Sequence, residues 1–444
     1  MEYTLNWLME NDGFVCECGK RHFGLLKDCI IGENALAQVP VMVRKYGASH
    51  PFVLCDRETY AAAGEKVCAL LTDAGIPFTL HIISRTRPAP DERIVGEAVM
   101  FCDASCDIVI AVGGGVINDT GKIVANLKNC TDIYVATAPS MDGYASASSS
   151  MEREGLKVSL NSKCPDVVIG DADVLAAAPV HMIRSGIGDM AAKYISIAEW
   201  QIAALLIGEY YCPAVAQIVR ESLAVCMENA KAAVAGDKKA VCRLAEGLVM
   251  SGLAMNYAGI SRPASGMEHY ISHILDMRAL EFGTPADLHG IQCGIGTLIT
   301  AEAYEKLAQI TPDREKALAY VRHFDPDGWF GHLRALLGHG AEAMINGERK
   351  EGKYDPAKHA ERLEKILAGW DTILEIAAEL PSSGQLREFF VSIGHPVSGL
   401  ELGLTESDMR EAFCAAKDIR DKYVLGRLLW DLGELENTAD MLHW

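Results

Sequence analysis

Two histidines four residues apart, His269 and His273, stand in the stretch Ser265-Gly266-Met267-Glu268-His269-Tyr270-Ile271-Ser272-His273, and a third follows at His289. On a helix such a pair projects from one side, about one turn apart. That arrangement suits gripping a divalent cation, or one metal ligand beside one group that handles a proton. It is not the H-E-x-x-H of zinc proteases, because Glu268 precedes the first histidine. Histidines at helical spacing are also ordinary surface or core residues, so what else converges on them decides. Asp189 and Lys193 form a second pair of this spacing in Gly186-Ile187-Gly188-Asp189-Met190-Ala191-Ala192-Lys193. One reading is a simple ion pair of little energetic weight. The other makes Asp189 the hard anionic ligand of a three-ligand metal site, open so that a substrate oxygen can enter.

A different chemistry is written at Gly113-Gly114-Gly115-Val116-Ile117-Asn118-Asp119, which follows the apolar run Asp107 to Val112 and precedes a helical pattern from Thr120 to Leu127. A glycine turn feeding a helix leaves backbone N–H groups and a positive dipole end aimed at one point, which cradles a phosphate or pyrophosphate. The competing reading is a turn that only lets strand and helix pack closely. G-x-G-x-x-G is absent, and Asp56 precedes the glycines instead of following them by about twenty residues. Asp56 ends an apolar run and could accept from a ribose hydroxyl, or be a solvated loop acid. Pro139-Ser140-Met141-Asp142-Gly143-Tyr144-Ala145-Ser146 gathers small hydroxyl residues around one Asp, either a ligand-binding turn or a plain Asx or Ser turn.

These residues need elements to position them. From Pro51 to Gly170, short apolar runs alternate with amphipathic helical stretches, the pattern of parallel strands buried on both faces. The expected strands are Pro51–Cys55, Phe78–Ile83, Asp107–Val112, Tyr134–Ala138, Lys157–Leu160 and Asp166–Gly170. Right-handed crossovers then give an α/β domain with a doubly wound, mostly parallel sheet. After Asp173–Pro179 the pattern is almost wholly helical, with helices expected over 183–207, 215–235, 241–257, 266–277, 292–307 and 363–379. We therefore expect a nucleotide-binding domain over 1–178 and an all-helical metal- and substrate-binding domain over 179–444, with the site in the interdomain cleft. The polar stretch Glu342–His359 is expected as a surface insertion or exposed turn.

A chain of 444 residues with half its residues apolar is globular and long enough for two cores. A net charge of -19 argues against nucleic acid or anionic membrane as partner and leaves an anionic substrate dependent on a few local basic groups. No leader is visible in Met1-Glu2-Tyr3-Thr4, and no uninterrupted apolar run is long enough for a membrane span. The 14 scattered cysteines read as reduced thiols, with a cytoplasmic location expected. Cys16, Cys18 and His22 could form half of a zinc site, but no second pair with ribbon or finger spacing follows, and a short strand turning at Gly19 is the plainer reading.

In this order the glycine turn, Pro139–Gly143, Gly188-Asp189, the Ser265–His273 stretch and His289-Gly290 resemble the iron-type, metal-dependent alcohol dehydrogenases, which share a fold with glycerol dehydrogenase and dehydroquinate synthase. Lys193, Ser261-Arg262-Pro263-Ala264-Ser265-Gly266 and Met141–Ser146 narrow the likeness to the glycerol-1-phosphate dehydrogenase branch. It spans roughly residues 25 to 310. The resemblance implies that Asp189, His269 and His289 bind a divalent metal, with nickel or zinc typical. It implies substrate contacts from Asp142, Asp189 and His273, and catalytic roles for His273, Asp142 and Lys193. Asp56, Gly114, Gly115, Val116, Ile117, Asn118, Asp119, Thr137, Ala138, Pro139, Ser140 and Ser146 would line NAD or NADP, with Asp56 favouring NAD. The implied reaction is reversible reduction of dihydroxyacetone phosphate, Lys193 and Arg262 being the candidates to balance the phosphate. The alternatives are a dehydrogenase of glycerol or another polyol, a lyase resembling dehydroquinate synthase, and a non-catalytic relative. A homodimer or higher homo-oligomer is expected. Two departures stand out: Gln292 sits where a Glu often follows the metal-binding His-Gly, and Pro139 replaces a small residue.

Overall fold

The computed structural model describes residues 3–11, 13–85 and 88–444. Met1 and Glu2, the start of the stretch read for a leader, lie outside them. The chain packs as two compact units, one of residues up to Met190 with Ala214–Ile260, the other of Ala191–Pro213 with Ser261–Trp444.

Among the described residues, the first unit holds every strand. A short antiparallel hairpin, β1 (Phe14–Val15) and β2 (Arg21–His22), comes first. Then follow β3 (Asp28–Gly32), β4 (Pro51–Asp56), β5 (Thr79–Ile83), β6 (Ile108–Gly113), β7 (Thr131–Ala136), β8 (Ser148–Arg153), β9 (Leu156–Asn161) and β10 (Val167–Asp171). Six of them form one sheet in the order β3-β10-β7-β6-β4-β5, parallel throughout. The near-continuous apolar text of β6 and β10 reflects burial at every position, as expected of strands covered on both faces. Edge strand β3 is nowhere fully buried, and its text gave no expectation of a strand. The strand expected at Lys157–Leu160 forms, as β9, but pairs with β8 in a separate hairpin and not in the main sheet.

From β4 the chain steps outward to β5, and from β6 it steps the other way through β7 to β10, so the order reverses between β4 and β6. A doubly wound sheet binds ligands outside the carboxyl ends at such a reversal. Asp56 and Gly113 each lie two residues beyond the paired Leu54 and Ala111, so both stand at that crevice. The helix Gly115–Lys128 packs close on β6, where a Cβ on Gly121 would lie 2.6 Å from Ala111 Cβ. Helices Pro213–Val234 and Lys238–Ala258 also belong to this unit. The second supports the turn at 142–145, since a Cβ on Gly252 would sit 2.9 Å from the Asp142 carbonyl oxygen.

The second unit is helical. Its helices Met267–Phe282 and His289–Leu307 cross at short range because Gly296 has no side chain; a Cβ there would lie 2.6 Å from the Glu268 carbonyl oxygen. The stretch expected as an exposed insertion forms helices Ala341–Glu351 and Pro356–Ala368, and buries Glu348 and His359. Met344, Ile345, Leu363 and Ile366 supply its apolar face, and Lys353 offsets Glu348 at 2.5 Å. The helix expected over 363–379 is two, parted at Gly369. The helix Val180–Ile207 is long and apolar enough to cross a membrane, but 72% of its most apolar stretch is buried, as in a core helix.

Candidate active site

At the sheet crevice, β6 ends at Gly113 and the helix begins at Gly115, five residues before the expected start at Thr120. Gly114 is the extended N-cap, with no side chain capping the first turn. The first intrahelical bond runs from the Asn118 N–H to the Gly114 carbonyl at 3.0 Å. The N–H groups of Gly115, Val116 and Ile117 therefore point out of the helix end, the arrangement that accepts phosphate oxygens. A Cβ on Gly113 would press on Ile117 at 2.6 Å, and one on Gly115 on Met141 Cε at 2.9 Å, which is why glycines occupy the turn. Asn118 is fully buried, and neither atom of its amide has a hydrogen-bond partner among the described residues. A buried amide left so is costly unless a ligand completes it. Uncapped donors and an orphaned amide at a sheet switch point fit a dinucleotide.

Other expected cofactor residues carry structural duties. Asp56 caps the turn at 57–59, accepting from the Thr59 N–H at 2.8 Å and the Thr59 hydroxyl at 3.0 Å. Lys122, fully buried, donates to Asp119 at 3.4 Å, the Gly143 carbonyl at 2.7 Å, Ser146 Oγ at 3.3 Å and the Ser148 carbonyl at 3.1 Å. Burial raises the Asp119 carboxyl above the usual range, and Lys122 opposes that rise. The Thr137 N–H and the Tyr134 hydroxyl both donate to the Gly113 carbonyl, at 3.1 and 2.8 Å. The Ser140 N–H donates to the Tyr144 hydroxyl at 2.8 Å, and the Ser185 hydroxyl donates to the Ser140 carbonyl at 2.9 Å. Gly186 allows Ala138-Pro139-Ser140 to lie flat on its helix, because a Cβ there would come within 2.0 Å of the Pro139 carbonyl oxygen.

Asp142 and Asp189 are joined directly. The Asp142 N–H donates to Asp189 Oδ2 at 2.9 Å, and Asp142 Oδ2 accepts from the Ser251 hydroxyl at 2.8 Å. Both carboxylates are buried. These bonds fix the orientation of the Asp189 oxygens.

The histidines stand on the crossing helices Met267–Phe282 and His289–Leu307. His269 and His289 rings are 5.0 Å apart between centroids, while His273 lies 6.5 Å from His269 and 5.8 Å from His289. The His269 Nδ1–H donates to Glu268 Oε1 at 2.8 Å, which leaves Nε2 as the basic nitrogen. His289 Nδ1 is 3.2 Å from Ser272 Oγ, and Gln292 donates to that same oxygen at 3.1 Å and to Asp276 Oδ1 at 2.8 Å. Gln292, the departure noted in the sequence, thus braces the His289 support. Cys293 Sγ lies 3.5 Å from His289 Nε2. Burial raises the Cys293 thiol, but His269 and His289 pull it below the ordinary thiol value. A carboxylate oxygen of Asp189, a ring nitrogen each of His269 and His289, and Cys293 Sγ all lie within 4.8 Å of one another. Two imidazoles, a carboxylate and a thiol form a donor set that fits a borderline divalent cation such as zinc or nickel.

Cys293 was not anticipated, although it stands four residues beyond His289, the same spacing that drew attention to His269 and His273. Lys193 is fully buried. Arg262 is also buried, but against acids. Its Nε lies 3.3 Å from Glu209, and its NH2 group donates to the Glu199 carbonyl at 2.9 Å and to the Tyr423 carbonyl. Its position before Pro263, in the short turn Arg262–Ala264, is therefore held by contacts to Glu199, Glu209 and Tyr423. Glu199 itself accepts from the N–H groups of Met267 at 2.9 Å and Leu425 at 2.7 Å. Burial, and then the neighbouring Glu268, push its carboxyl up to about 8.

The family model described as iron-containing alcohol dehydrogenase matches residues 30–179. A glycerol-1-phosphate dehydrogenase, NAD(P)+, of Halalkalibacterium halodurans is 31% identical over 414 residues, covering 92% of this chain and 94% of its own length. The protein of the same name from Bacillus velezensis is 34% identical over 364 residues, covering 80% of this chain and 92% of its own. Among solved structures, glycerol dehydrogenase from Schizosaccharomyces pombe aligns with a TM-score of 0.61 at 16% identity, over 95% of this chain and 92% of that one, a likeness of fold.

Proposed function

We propose a reaction from one premise: the chain belongs to the glycerol-1-phosphate dehydrogenases, within the iron-containing alcohol dehydrogenase family. The reaction is the reversible, NAD(P)H-linked reduction of dihydroxyacetone phosphate to sn-glycerol 1-phosphate. The observation that carries it is the donor set of Asp189, His269, His289 and Cys293, with Glu268 holding the first imidazole. A divalent cation, nickel or zinc, bound there supplies Lewis acidity toward the C2 oxygen.

Asp189, His269 and His289 hold that cation, with Glu268 and Ser272 fixing their rings. The Gly114–Asn118 turn receives the pyrophosphate of the dinucleotide, whose nicotinamide supplies or accepts the hydride. Asp56, at the neighbouring strand end, disfavours a 2′-phosphate and so favours NAD over NADP. Asp142, held by Ser251, orients the substrate hydroxyls and braces Asp189. His273 stands one helical turn beyond His269 and outside the donor set, and it exchanges the proton of the C2 hydroxyl. Lys193 balances the substrate phosphate in a chain of strongly negative charge. Burial of Asp142, Asp189, Lys193 and His269 excludes water from them, which strengthens their electrostatic contacts.

The test compares turnover of dihydroxyacetone phosphate with NADH or NADPH against oxidation of glycerol by the same purified protein. A kcat/KM higher for dihydroxyacetone phosphate is expected. Faster glycerol oxidation would assign the chain to a polyol dehydrogenase, and substrate conversion with no net NADH consumption would indicate a lyase.

A further inference from the structure

The N-terminal hairpin contains a second group of donors that the dehydrogenase chemistry does not use. Cys16, Cys18, His22 and Cys212 each offer one ligand atom, and these atoms all lie within 4.8 Å of one another. Cys18 Sγ is 3.3 Å from His22 Nε2. Two ligands of one tetrahedral zinc, with Zn–S near 2.3 Å and Zn–N near 2.0 Å, stand about 3.6 Å apart. His22 Nδ1 meets the Tyr257 carbonyl at 2.7 Å, so it carries the proton and Nε2 keeps its lone pair toward the cysteines. A backbone carbonyl holding the far nitrogen is the usual outer support of a metal-binding histidine.

The hairpin is folded to present these atoms. The Cys16 N–H donates to the Lys20 carbonyl at 2.9 Å and the Gly19 N–H to the Cys16 carbonyl at 3.0 Å, with Gly19 turning at φ +83°. His22 and Cys212 are buried, and the rings of Phe14 and Tyr257 flank His22 at 5.2 and 6.3 Å. Cys16, Cys18 and Cys212 form no disulfide bond.

We propose that Cys16, Cys18, His22 and Cys212 form a closed, structural zinc site of Cys3His type. Its protein donors fill a tetrahedron and leave no position for substrate, so it stabilises the fold instead of catalysing. It does not rest on the dehydrogenase reading.

The test is metal analysis and zinc X-ray absorption on protein from zinc-supplemented cells. The His269→Ala/His289→Ala variant, which lacks the other donor group, should keep one zinc per chain with three sulfur neighbours at about 2.3 Å and one nitrogen. Adding Cys18→Ser should lower bound zinc at least tenfold, while Cys130→Ser, elsewhere in the chain, should leave it unchanged. A folded histidine variant without zinc, or zinc unaffected by Cys18→Ser, overturns the proposal. Should either variant fail to fold, the unmutated chain decides. An average of about 1.5 or more sulfurs per zinc supports the site, and one or fewer overturns it, since Cys293 is the single sulfur of the other group.

Discussion

Glu268→Gln isolates what the carboxylate behind His269 contributes. The change keeps the shape of the side chain and can preserve an acceptor for the Gly266 N–H, now held at 2.7 Å. It removes the charge from the 2.8 Å bond to His269 Nδ1, at a residue with no exposed surface. A hydrogen bond to a charged group is worth about 1.5–3 kcal/mol against about 0.5–1.5 for a neutral one. The difference, about 1–1.5 kcal/mol, is roughly tenfold in an equilibrium constant. Changes behind a metal-bound histidine typically cost about 10–100-fold in metal affinity, so the two estimates overlap. We therefore expect the metal dissociation constant to rise about tenfold or more. Competition with a chromogenic chelator at fixed pH measures it, with the melting temperature of the metal-free variant as the control for folding. Unchanged affinity in a folded variant would refute the claim that Glu268 sets the basicity of His269.

Three further outcomes follow from the geometry. His273→Ala should retain the metal and lose about 10²–10⁴ in kcat, whereas His269→Ala should lose metal and activity together; metal analysis beside turnover separates them. Gly186→Ala places a Cβ 2.0 Å from the Pro139 carbonyl oxygen, so urea unfolding should show a loss of about 1–3 kcal/mol and the KM for the dinucleotide should rise. Glu199, pushed up to about 8 by burial and then by Glu268, holds a proton in the folded chain that the unfolded chain releases near its ordinary value of 4.5. Its stabilisation is full below the lower value and is lost as pH rises through the higher one. The fall in melting temperature of the unmutated protein between about pH 5 and 8 should be smaller in Glu199→Gln, and equal slopes would contradict the assignment.

The sheet was largely readable because β6 and β10 are buried on both faces and write that burial as unbroken apolar runs. Edge strand β3 left no such trace, since none of its residues is fully buried. Periodicity marks an amphipathic helix but not its partner. The helices Pro213–Val234 and Lys238–Ala258 therefore gave no sign of belonging with the sheet and not with the helices that follow. The spacing of His269 and His273 was legible as local geometry. The placing of Lys122 under Asp119 and Ser146, of Arg262 against Glu209, and of Cys212 beside Cys18 joins residues far apart in the chain, which no local pattern encodes.

The most direct measurement is dihydroxyacetone phosphate reduction by protein stripped of metal and then resupplied with nickel or zinc, followed with NADH and NADPH. Stripping should abolish the activity, resupply should restore it in the unmutated chain, and neither ion should restore it in His269→Ala. Undiminished reduction by the metal-free protein, or by His269→Ala, would contradict the role given to Asp189, His269 and His289.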